Sequence, residues 1–161
     1  MSHEVWLRLM DPNDAETVFQ IENDAELWDV TTDHGPYSRR VITDFVLNST
    51  GDIAHDGQMR FMIETADGIV GTLDLTDYDA FHRFAFVGIA LKKENRRRGY
   101  AGQAVAQAID YARKVLSLHK LYALIHKHNT PSLQLFRKAN FTETETFPHG
   151  YEPPEGLEEV C

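Results

Sequence analysis

The sequence predicts a single-domain α/β protein whose sheet has mixed, mostly antiparallel strand direction and is flanked by helices. A chain of 161 residues with 42% hydrophobic side chains is large enough for one packed core. Stretches with strand-like patterning interleave with stretches of helical spacing in the order β-α-α-β-β-β-α-β-α-β. No repeat, low-complexity tract or linker divides the chain, so we predict one domain over residues 1–161.

The N-terminal part predicts one strand followed by two helices. The alternating segment VWLRLM is typical of a strand. Asp11 is placed to cap the first helix, Pro12 stands at its first position, and its buried stripe is Ala15, Val18 and Phe19. The second helix is predicted after Ser38, its N-cap, with four apolar residues facing inward: Val41, Ile42, Phe45 and Val46.

The middle of the chain predicts three consecutive strands. MRFMIET and IVGTLDLTDY flank Ala66-Asp67-Gly68, which is a strong hairpin-turn signal. RFAFVGIAL, rich in aromatic and β-branched residues, is the third of these strands.

The C-terminal part predicts a long helix, a buried strand and a second helix. Helical spacing places seven small or apolar residues on one face of the long helix: Ala101, Ala104, Val105, Ala108, Ile109, Ala112 and Leu116. The strand is KLYALIH. In TPSLQLFRKAN, Thr130 is the expected N-cap, Pro131 follows it, and Asn140 is expected to end the helix in the left-handed conformation. The tail is expected to hold one or two further strands.

Two of the predicted helices begin directly after strands, at residues 96–101 and 129–131. We expect both N-termini to open on the same edge of the sheet, where ligands of such folds bind.

The charge balance restricts the partners. Twenty-five acidic and 16 basic residues give a formal charge of −9. This balance argues against nucleic acid, which requires a cationic face, and fits a cationic substrate such as an amine. An acidic surface that keeps the protein in solution explains the same balance.

From the sequence we predict that the protein is cytoplasmic and does not associate with membranes. Its single cysteine, Cys161, excludes a disulfide within the chain, and no Cys/His spacing indicates a metal site. The N-terminus lacks the pattern of a secretory signal, and no apolar run approaches the roughly 20 residues that span a bilayer.

The segment RRRGYAGQA, which starts at Arg96, predicts a phosphate site at the start of the long helix. A helix that follows a strand exposes unpaired N–H groups at its positive end, and Gly99 lets a ligand approach the backbone. The spacing is neither that of a P-loop nor that of a dinucleotide fold. A solvated helix start and a short basic patch for nucleic acid are the alternatives for the three arginines.

A second segment, HNTPSLQLFRKANF, lies about 30 residues further on and also starts a helix after a buried strand. Together, R-x-x-G-x-A and N-x-x-S-x-x-L-F-x-x-A-N-F resemble the two motifs of the GNAT superfamily of N-acetyltransferases. The stretch from about Trp6 to Phe147 looks like the subgroup that acetylates ribosomal-protein N-termini and spermidine.

The resemblance implies a sheet that splays between its fourth and fifth strands to admit acetyl-CoA as cosubstrate. The backbone of Ile89, Ala90 and Leu91 would pair with the pantetheine arm. The pyrophosphate would lie on six consecutive residues: Arg96, Arg97, Arg98, Gly99, Tyr100 and Ala101. Asn129, Ser132 and Phe136 would line the pantetheine and sulfur end, although Phe136 also fits a plain core position.

The sequence departs from the family pattern at two positions and leaves the catalytic residues unidentified. Phe136 stands where many members have a tyrosine that protonates the thiolate, and Phe86 stands where many of the subgroup have a glutamate. Candidates for proton transfer lie in or near the segment DYDAFHR: Asp74, Tyr78, Asp79 and His82. A plain polar turn between two strands is the alternative interpretation of this segment.

The sequence-based hypothesis is therefore acetyl transfer from acetyl-CoA to a primary amine, either a small amine such as a polyamine or a protein N-terminus, by direct attack and without a metal. The alternative is a catalytically weak domain that binds acyl-CoA. Candidate acceptor contacts lie between the first two helices: Trp28, Asp29, Asp33 and His34. The short tail suggests either an open acceptor side or a homodimer in which a second subunit completes the sheet.

Overall fold

The computed structural model describes residues 4–24, 36–144, 148 and 159–160. Its main sheet has five strands, of which only the last pair, β4 and β5, is parallel. The strands follow one another in space in chain order: β1 (Trp6–Leu9), β2 (Met59–Thr65), β3 (Gly68–Asp79), β4 (Phe84–Leu91) and β5 (Lys120–Tyr122). The predicted α/β class with a mostly antiparallel sheet is confirmed.

Five α-helices, two short strands and two 3-10 turns, Pro12–Asp14 and Lys93–Asn95, make up the other described elements. The helices are α1 (Ala15–Glu22), α2 (Arg39–Asn48), α3 (Ile53–Asp56), α4 (Tyr100–Lys114) and α5 (Thr130–Lys138). The strands β6 (Leu124–Ile125) and β7 (Glu159–Val160) pair antiparallel with each other. The sequence did not predict α3. The single strand predicted as KLYALIH is divided at Ala123 into β5 and β6.

Side-chain caps start α2 and α5, and the second of these caps differs from its prediction. Ser38 accepts a hydrogen bond from the Val41 N–H at 3.1 Å, as predicted for an N-cap. For α5, the prediction of Thr130 as N-cap is wrong. Asn129 is the N-cap, and its side-chain oxygen accepts from the Ser132 N–H at 3.3 Å. Asn140 takes the predicted left-handed conformation, with φ of 70°.

The predicted first cap and hairpin turn are also present. Asp11 accepts a hydrogen bond from the Asn13 N–H at 2.7 Å and caps a short 3-10 turn, Pro12–Asp14, that leads into α1. The turn at residues 66–67 joins β2 to β3, and Gly68 has φ of 126°. Such an angle favours glycine because other residues rarely adopt it.

The sheet separates two apolar layers. On one face, side chains of β2, β3 and β4 pack against Ala104, Val105 and Ala108 of α4. On the other face, Met62 packs against Val18 of α1 and against the α2 residues Ile42 and Val46. Val41, predicted to face inward, is 53% exposed. It borders a cavity on the α1–α2 face instead of lying in the core.

A bulge in β3, where Val70 is the extra residue, brings three residues into one row across the sheet. The register shifts between Ile63 and Glu64, so that Arg60 lies opposite Asp74. Asp74 in turn lies opposite Gly88 of β4. Directly opposite residues share a face. Arg60, Asp74 and Gly88 therefore form a row on the face that carries α1 and α2.

The sheet opens between β4 and β5, as the family resemblance implied. Phe84–Phe86 pair with Lys120–Tyr122, and the paired segment ends there. The next described strand, β6, pairs with β7 and not with β4. The second half of β4 consequently keeps β3 as its only described strand partner, and its other edge borders a gap.

Candidate functional site

The loop between β4 and α4 presents backbone N–H groups to solvent. Gly99 is the N-cap of α4 with φ of 80°, and no described side chain caps this end. The Gln103 N–H donates to the Gly99 carbonyl and begins the hydrogen-bond ladder of the helix. The N–H groups that precede it in the first turn are left for a ligand, and the helix dipole makes this end attractive to anions.

The space in front of this helix end is open. A methyl group placed on Gly99 or Gly102 would have no described atom within 4 Å apart from its chain neighbours and the adjacent backbone of the helix. Arg97, with φ of 63°, and Arg98 are both exposed beside it. Uncapped N–H groups, open space and two nearby guanidinium groups fit a diphosphate such as that of acetyl-CoA.

Arg96 and Tyr100 are placed differently from the other residues of this loop. The Arg96 guanidinium donates to the Asp24 carboxylate at 2.7 Å and to the Leu91 carbonyl at 3.3 Å. The side chain of Tyr100, the first residue of α4, is buried in the core. Tyr100 can therefore contribute only its backbone to an anion site, as Ala101 can.

The gap beside β4 exposes the segment that the resemblance assigns to pantetheine. Ile89, Ala90 and Leu91 are half-buried and pair with β3 through Leu73, Thr72 and Gly71. Because strands have hydrogen-bonding groups on both edges, the edge of this segment that faces the gap can pair with an extended amide chain.

The second motif places its residues at the start of α5. Asn129 and Ser132 bond to each other through the helix cap. The Phe136 ring is 2% exposed and makes an edge-on contact with Phe141, with 5.0 Å between ring centroids. Of the two roles considered for Phe136, the structure shows core packing, and contact with the cosubstrate stays a prediction.

Of the four candidates for proton transfer, Asp74 borders the cavity described below. Tyr78 packs into the core near α4. Asp79 and His82 lie at the tip of the β3–β4 hairpin, where Asp79 Oδ2 is 2.8 Å from His82 Nδ1. Hydrogen bonds from the His82 backbone and side chain lower the pKa of Asp79. Asp79 and His82 therefore lie near the end of β4 that still pairs with β5, away from the gap.

The cavity lies between the sheet and helices α1 and α2 and has a volume of about 300 Å³. Three carboxylates border it: Glu22, Asp56 and Asp74. Much of the remaining wall is apolar or aromatic, as in Leu9, Met10, Tyr37, Val41, Ile42, Phe45 and Met59. An elongated ligand that combines cationic groups with methylene segments fits such a lining.

Arg60 fixes two of these carboxylates. Its Nε and NH2 groups donate to the two oxygens of Asp74 at 2.6 and 2.7 Å, and its NH1 lies 2.6 Å from Glu22 Oε1. The Arg60 side chain is only 10% exposed, and its guanidinium lies 5.0 Å from the centroid of the Phe45 ring. Burial opposes the cation, but Asp74 and Glu22 outweigh burial and raise the pKa of Arg60.

Asp56 borders the cavity as an anion. The His55 imidazole bonds to it at 2.9 Å and lowers the pKa of Asp56, and the Thr50 N–H donates to its other oxygen at 2.9 Å.

Phe86 occupies the position where many relatives have a glutamate, and the structure explains its role. Its ring packs in an aromatic cluster with Phe84 and Tyr122, at centroid distances of 6.3 and 5.4 Å. The cluster lies where β4 and β5 still pair, so it closes the gap from that side. Thr76, which borders the cavity, is the cross-strand partner of Phe86.

The guessed acceptor contacts Trp28, Asp29, Asp33 and His34 lie outside the described residues. Among residues 4–24, 36–144, 148 and 159–160, no group of three or more His, Cys, Asp or Glu side chains is placed to hold a metal ion. None of the helices in this part of the chain has the length and apolar character that crossing a bilayer requires.

Sequence reasoning missed Arg60, Glu22 and Asp56. A signal for Arg60 exists, since it and Asp74 are each a charged residue between apolar neighbours in a strand. Charges in such positions pair or line a site. Glu22 and Asp56 are acidic residues near helix ends, and nothing in their local sequence distinguishes them from surface carboxylates.

Comparison with known proteins agrees with this geometry. The family model of the acetyltransferase (GNAT) domain matches residues 4–142. Spermidine N(1)-acetyltransferase of Escherichia coli K12 is 28% identical over 141 residues, which cover 88% of this chain and 74% of that protein. The enzyme of the same name from Vibrio cholerae is 24% identical over 144 residues, covering 89% and 82%.

A solved structure shares the fold. The crystal structure of spermidine N-acetyltransferase from Vibrio cholerae in complex with CoA and spermine superposes with a TM-score of 0.83 at 20% identity. The superposition covers 99% of this chain and 96% of that one. With the family model matching residues 4–142 and the splayed sheet in place, the chain belongs to the GNAT acetyltransferase family.

Proposed function

We propose that this N-acetyltransferase transfers the acetyl group of acetyl-CoA to a primary amine of a polyamine. The observation that carries the proposal is the cavity bordered by Glu22, Asp56 and Asp74, which reaches the strand row that ends at Gly88. The spermidine N-acetyltransferases to which the chain is similar support the same acceptor class.

The charge of the cavity suits a polyamine better than a simple amine. Its three carboxylates and one guanidinium give a net charge of −2. A triamine with one amine neutral for attack keeps two ammonium groups, which these carboxylates can bind. The apolar walls meet the methylene segments between them. A monoamine that is neutral for attack would leave the net charge of −2 in the cavity unbalanced.

The end of the cavity at Asp74 suits the reacting amine. Gly88 lies directly opposite Asp74, about 5 Å away across the strands, and a methyl group on Gly88 would have no described atom within 4 Å beyond its own chain neighbours. In this proposal the amine crosses from the cavity to the gap beside β4 at this point, where no side chain stands in its way. Asp74 keeps free lone pairs although Arg60 occupies both its oxygens, so it can accept a hydrogen bond from the amine and orient it.

Arg60 also favours the neutral form of the reacting amine. An alkyl ammonium group has a pKa of about 10, and a lone carboxylate beside it would raise that value. Because the Arg60 cation offsets Asp74, this carboxylate raises the pKa of a bound ammonium less than a lone carboxylate would. The amine that reaches Gly88 therefore gives up its proton to water more readily than it would beside an unpaired carboxylate.

The donor side would be held by backbone groups. Acetyl-CoA supplies the thioester when bound. The uncapped N–H groups at the start of α4 would bind its diphosphate, and Ile89–Leu91 would pair with its amide chain.

The direct test is release of CoA thiol from acetyl-CoA in the presence of spermidine, spermine, putrescine, butylamine, an aminoglycoside and an N-terminal peptide. We expect the highest kcat/KM with the triamine or tetraamine, and a value at least tenfold lower with butylamine. Thiol release with the peptide alone, or with no acceptor in this panel, would contradict the proposal.

A charge placed in the cavity provides a matched test. Thr76→Lys adds a cation beside the bound polyamine, and we expect kcat/KM for spermidine to fall about tenfold through a higher KM, which corresponds to about 1.4 kcal/mol. Thr76→Gln adds a neutral side chain of similar reach and serves as the control. Equal losses in the two variants would show that size, not charge, matters there.

A further inference from the structure

Three consecutive residues at the end of α1 bond to three different parts of the fold. Glu22 binds Arg60 of β2. Asn23 brackets Tyr37, just before α2, accepting from its N–H at 2.7 Å and donating to its carbonyl at 3.1 Å. Asp24 binds Arg96 in the loop before α4.

These contacts connect the acceptor cavity to the donor loop. Glu22 and Tyr37 border the cavity. Arg96 lies 72 positions along the chain from Asp24, in the loop whose N–H groups face solvent at Gly99. The end of α1 thus contacts both candidate substrate sites within three residues.

The position of Arg96 allows it to bind Asp24 and a diphosphate at the same time. The Arg96 and Asp24 side chains are both more than two-thirds buried, and Arg96 also donates to the carbonyl of Leu91, the last residue of β4. A guanidinium has five N–H donors in a rigid plane, so it can bind a carboxylate and a phosphate at the same time. A diphosphate at the start of α4 would arrive beside a cation that Asp24 already holds.

We propose that the Asp24–Arg96 ion pair couples the two sites, so that bound CoA raises the affinity of the cavity for its amine. The inference rests on the proposed function of the two sites. A diphosphate shared with Arg96 fixes the end of α1 more firmly. Glu22 and Tyr37 are then held in place before the amine binds, and the amine loses less conformational entropy of the protein on binding. Asp24 is in this sense a positioning residue that contacts neither substrate.

Coupling is reciprocal, so it can be measured as a ratio of dissociation constants. Calorimetry gives the Kd of spermidine for the protein alone and for the protein saturated with CoA, which carries the diphosphate but no acetyl group. We expect CoA to lower the spermidine Kd about fivefold or more in the wild type. In Asp24→Asn we expect a ratio near one, and in Asp24→Glu partial or full recovery of the wild-type ratio.

Asp44→Asn is the matched control, because it removes the carboxylate of an exposed Arg–Asp pair on α2. It should keep the wild-type ratio. If Asp24→Asn does not fold, Arg96→Gln removes the same ion pair from the other side and must give a ratio near one at saturating CoA.

Two results would overturn the coupling while leaving the proposed function intact. One is a ratio of one in the wild type, and the other is the full wild-type ratio in folded Asp24→Asn. Failure of the proposed function is a different observation, since the wild type would then neither bind spermidine nor release CoA thiol with it.

Discussion

Arg60 is the side chain that holds the acceptor cavity together, because it binds two carboxylates that would otherwise repel each other near the sheet. The guanidinium is buried, pairs with Asp74 through two hydrogen bonds and reaches Glu22 with its third nitrogen. A buried ion pair adds little net stability over an apolar replacement of all partners, but removal of one partner leaves uncompensated charge.

Arg60→Met should therefore destabilise the protein strongly. We expect the free energy of unfolding to fall by about 3–5 kcal/mol, because Asp74 and Glu22 lose their cation within the fold. Urea denaturation at pH 7 measures the loss. Arg40→Met, which removes a 91% exposed partner of Asp44, is the control and should change stability by less than about 1 kcal/mol. Equal effects of the two variants would contradict this account of Arg60.

Asp14 provides a second residue-level test, based on pH. Its side chain is 7% exposed and accepts two hydrogen bonds from Arg8, at 2.8 and 2.9 Å, which lower the pKa of Asp14. The Asp11 N–H donates to it as well, and Glu64 lies on the other side of Arg8. A carboxylate with a lowered pKa in the folded state stabilises the fold above its unfolded pKa of about 3.9.

The stability difference between wild type and Asp14→Asn should accordingly be constant from pH 5 to pH 8. It should shrink as the pH falls below about 4 and continue to shrink through the lowered pKa of the folded state, because protonation removes the interaction that the variant lacks. Thermal unfolding across this range measures the difference. A difference that grows as the pH falls would give the opposite sign and exclude the mechanism. Asp44→Asn, on the exposed face of α2, should show no comparable trend.

Among the elements, the start of α4 combines a conformational and a binding requirement at Gly99. Its φ of 80° is costly for any residue with a side chain, whatever the space available. Gly57, at the end of α3, has nearly the same φ of 75° and equally open surroundings, but it lies outside the donor loop. The two glycines therefore separate backbone strain from ligand binding.

Gly99→Ala and Gly57→Ala should each lower stability by about 1 kcal/mol, because alanine is strained at positive φ. Only Gly99→Ala should also raise the Kd of CoA, by about tenfold or more, since its methyl group points into the space where the diphosphate approaches the N–H groups. Calorimetric titration with CoA and thermal unfolding of both variants give the comparison. An equal loss of CoA affinity in both would attribute the effect to strain alone.

Local sequence signals predicted most of the helices and strands. The residues that line the cavity could not be predicted in this way, because they depend on the pairing register of β2 and β3. Asp11, Pro12 and Ser38 marked helix starts because capping depends on neighbouring residues only. If the register that begins at the Thr65–Gly68 pair continued along the hairpin without a bulge, Arg60 would lie opposite Leu73. The bulge between Ile63 and Glu64 pairs it with Asp74 instead. The cavity was not predictable, because it depends on this one-residue shift in register and on the packing of α1 and α2 against the sheet. Both involve residues that are far apart in the sequence.

For the whole molecule, the excess of acidic over basic residues acts on the approach of substrate as well as on its binding. The chain carries a formal charge of −9, and the cavity carries −2 of it within a half-enclosed space. A polycation is attracted over distances of about 10 Å at 0.1 M salt, and added salt screens this attraction. The donor CoA is an anion, which the overall charge repels and only the local N–H groups and arginines favour.

Salt should consequently affect the two substrates in different ways. We expect kcat/KM for spermidine, measured by thiol release at saturating acetyl-CoA, to fall about three- to tenfold between 50 and 500 mM NaCl. The decrease should be steeper for spermine and shallower for putrescine, because the attraction scales with the charge of the amine. The KM of acetyl-CoA should change less, since the overall repulsion and the local attraction are screened together. Potassium acetate at the same ionic strengths controls for chloride binding. If salt affected all three amines equally, charge attraction would not contribute to their binding. The acidic surface would then serve solubility only, and the cavity would recognise its amine by shape.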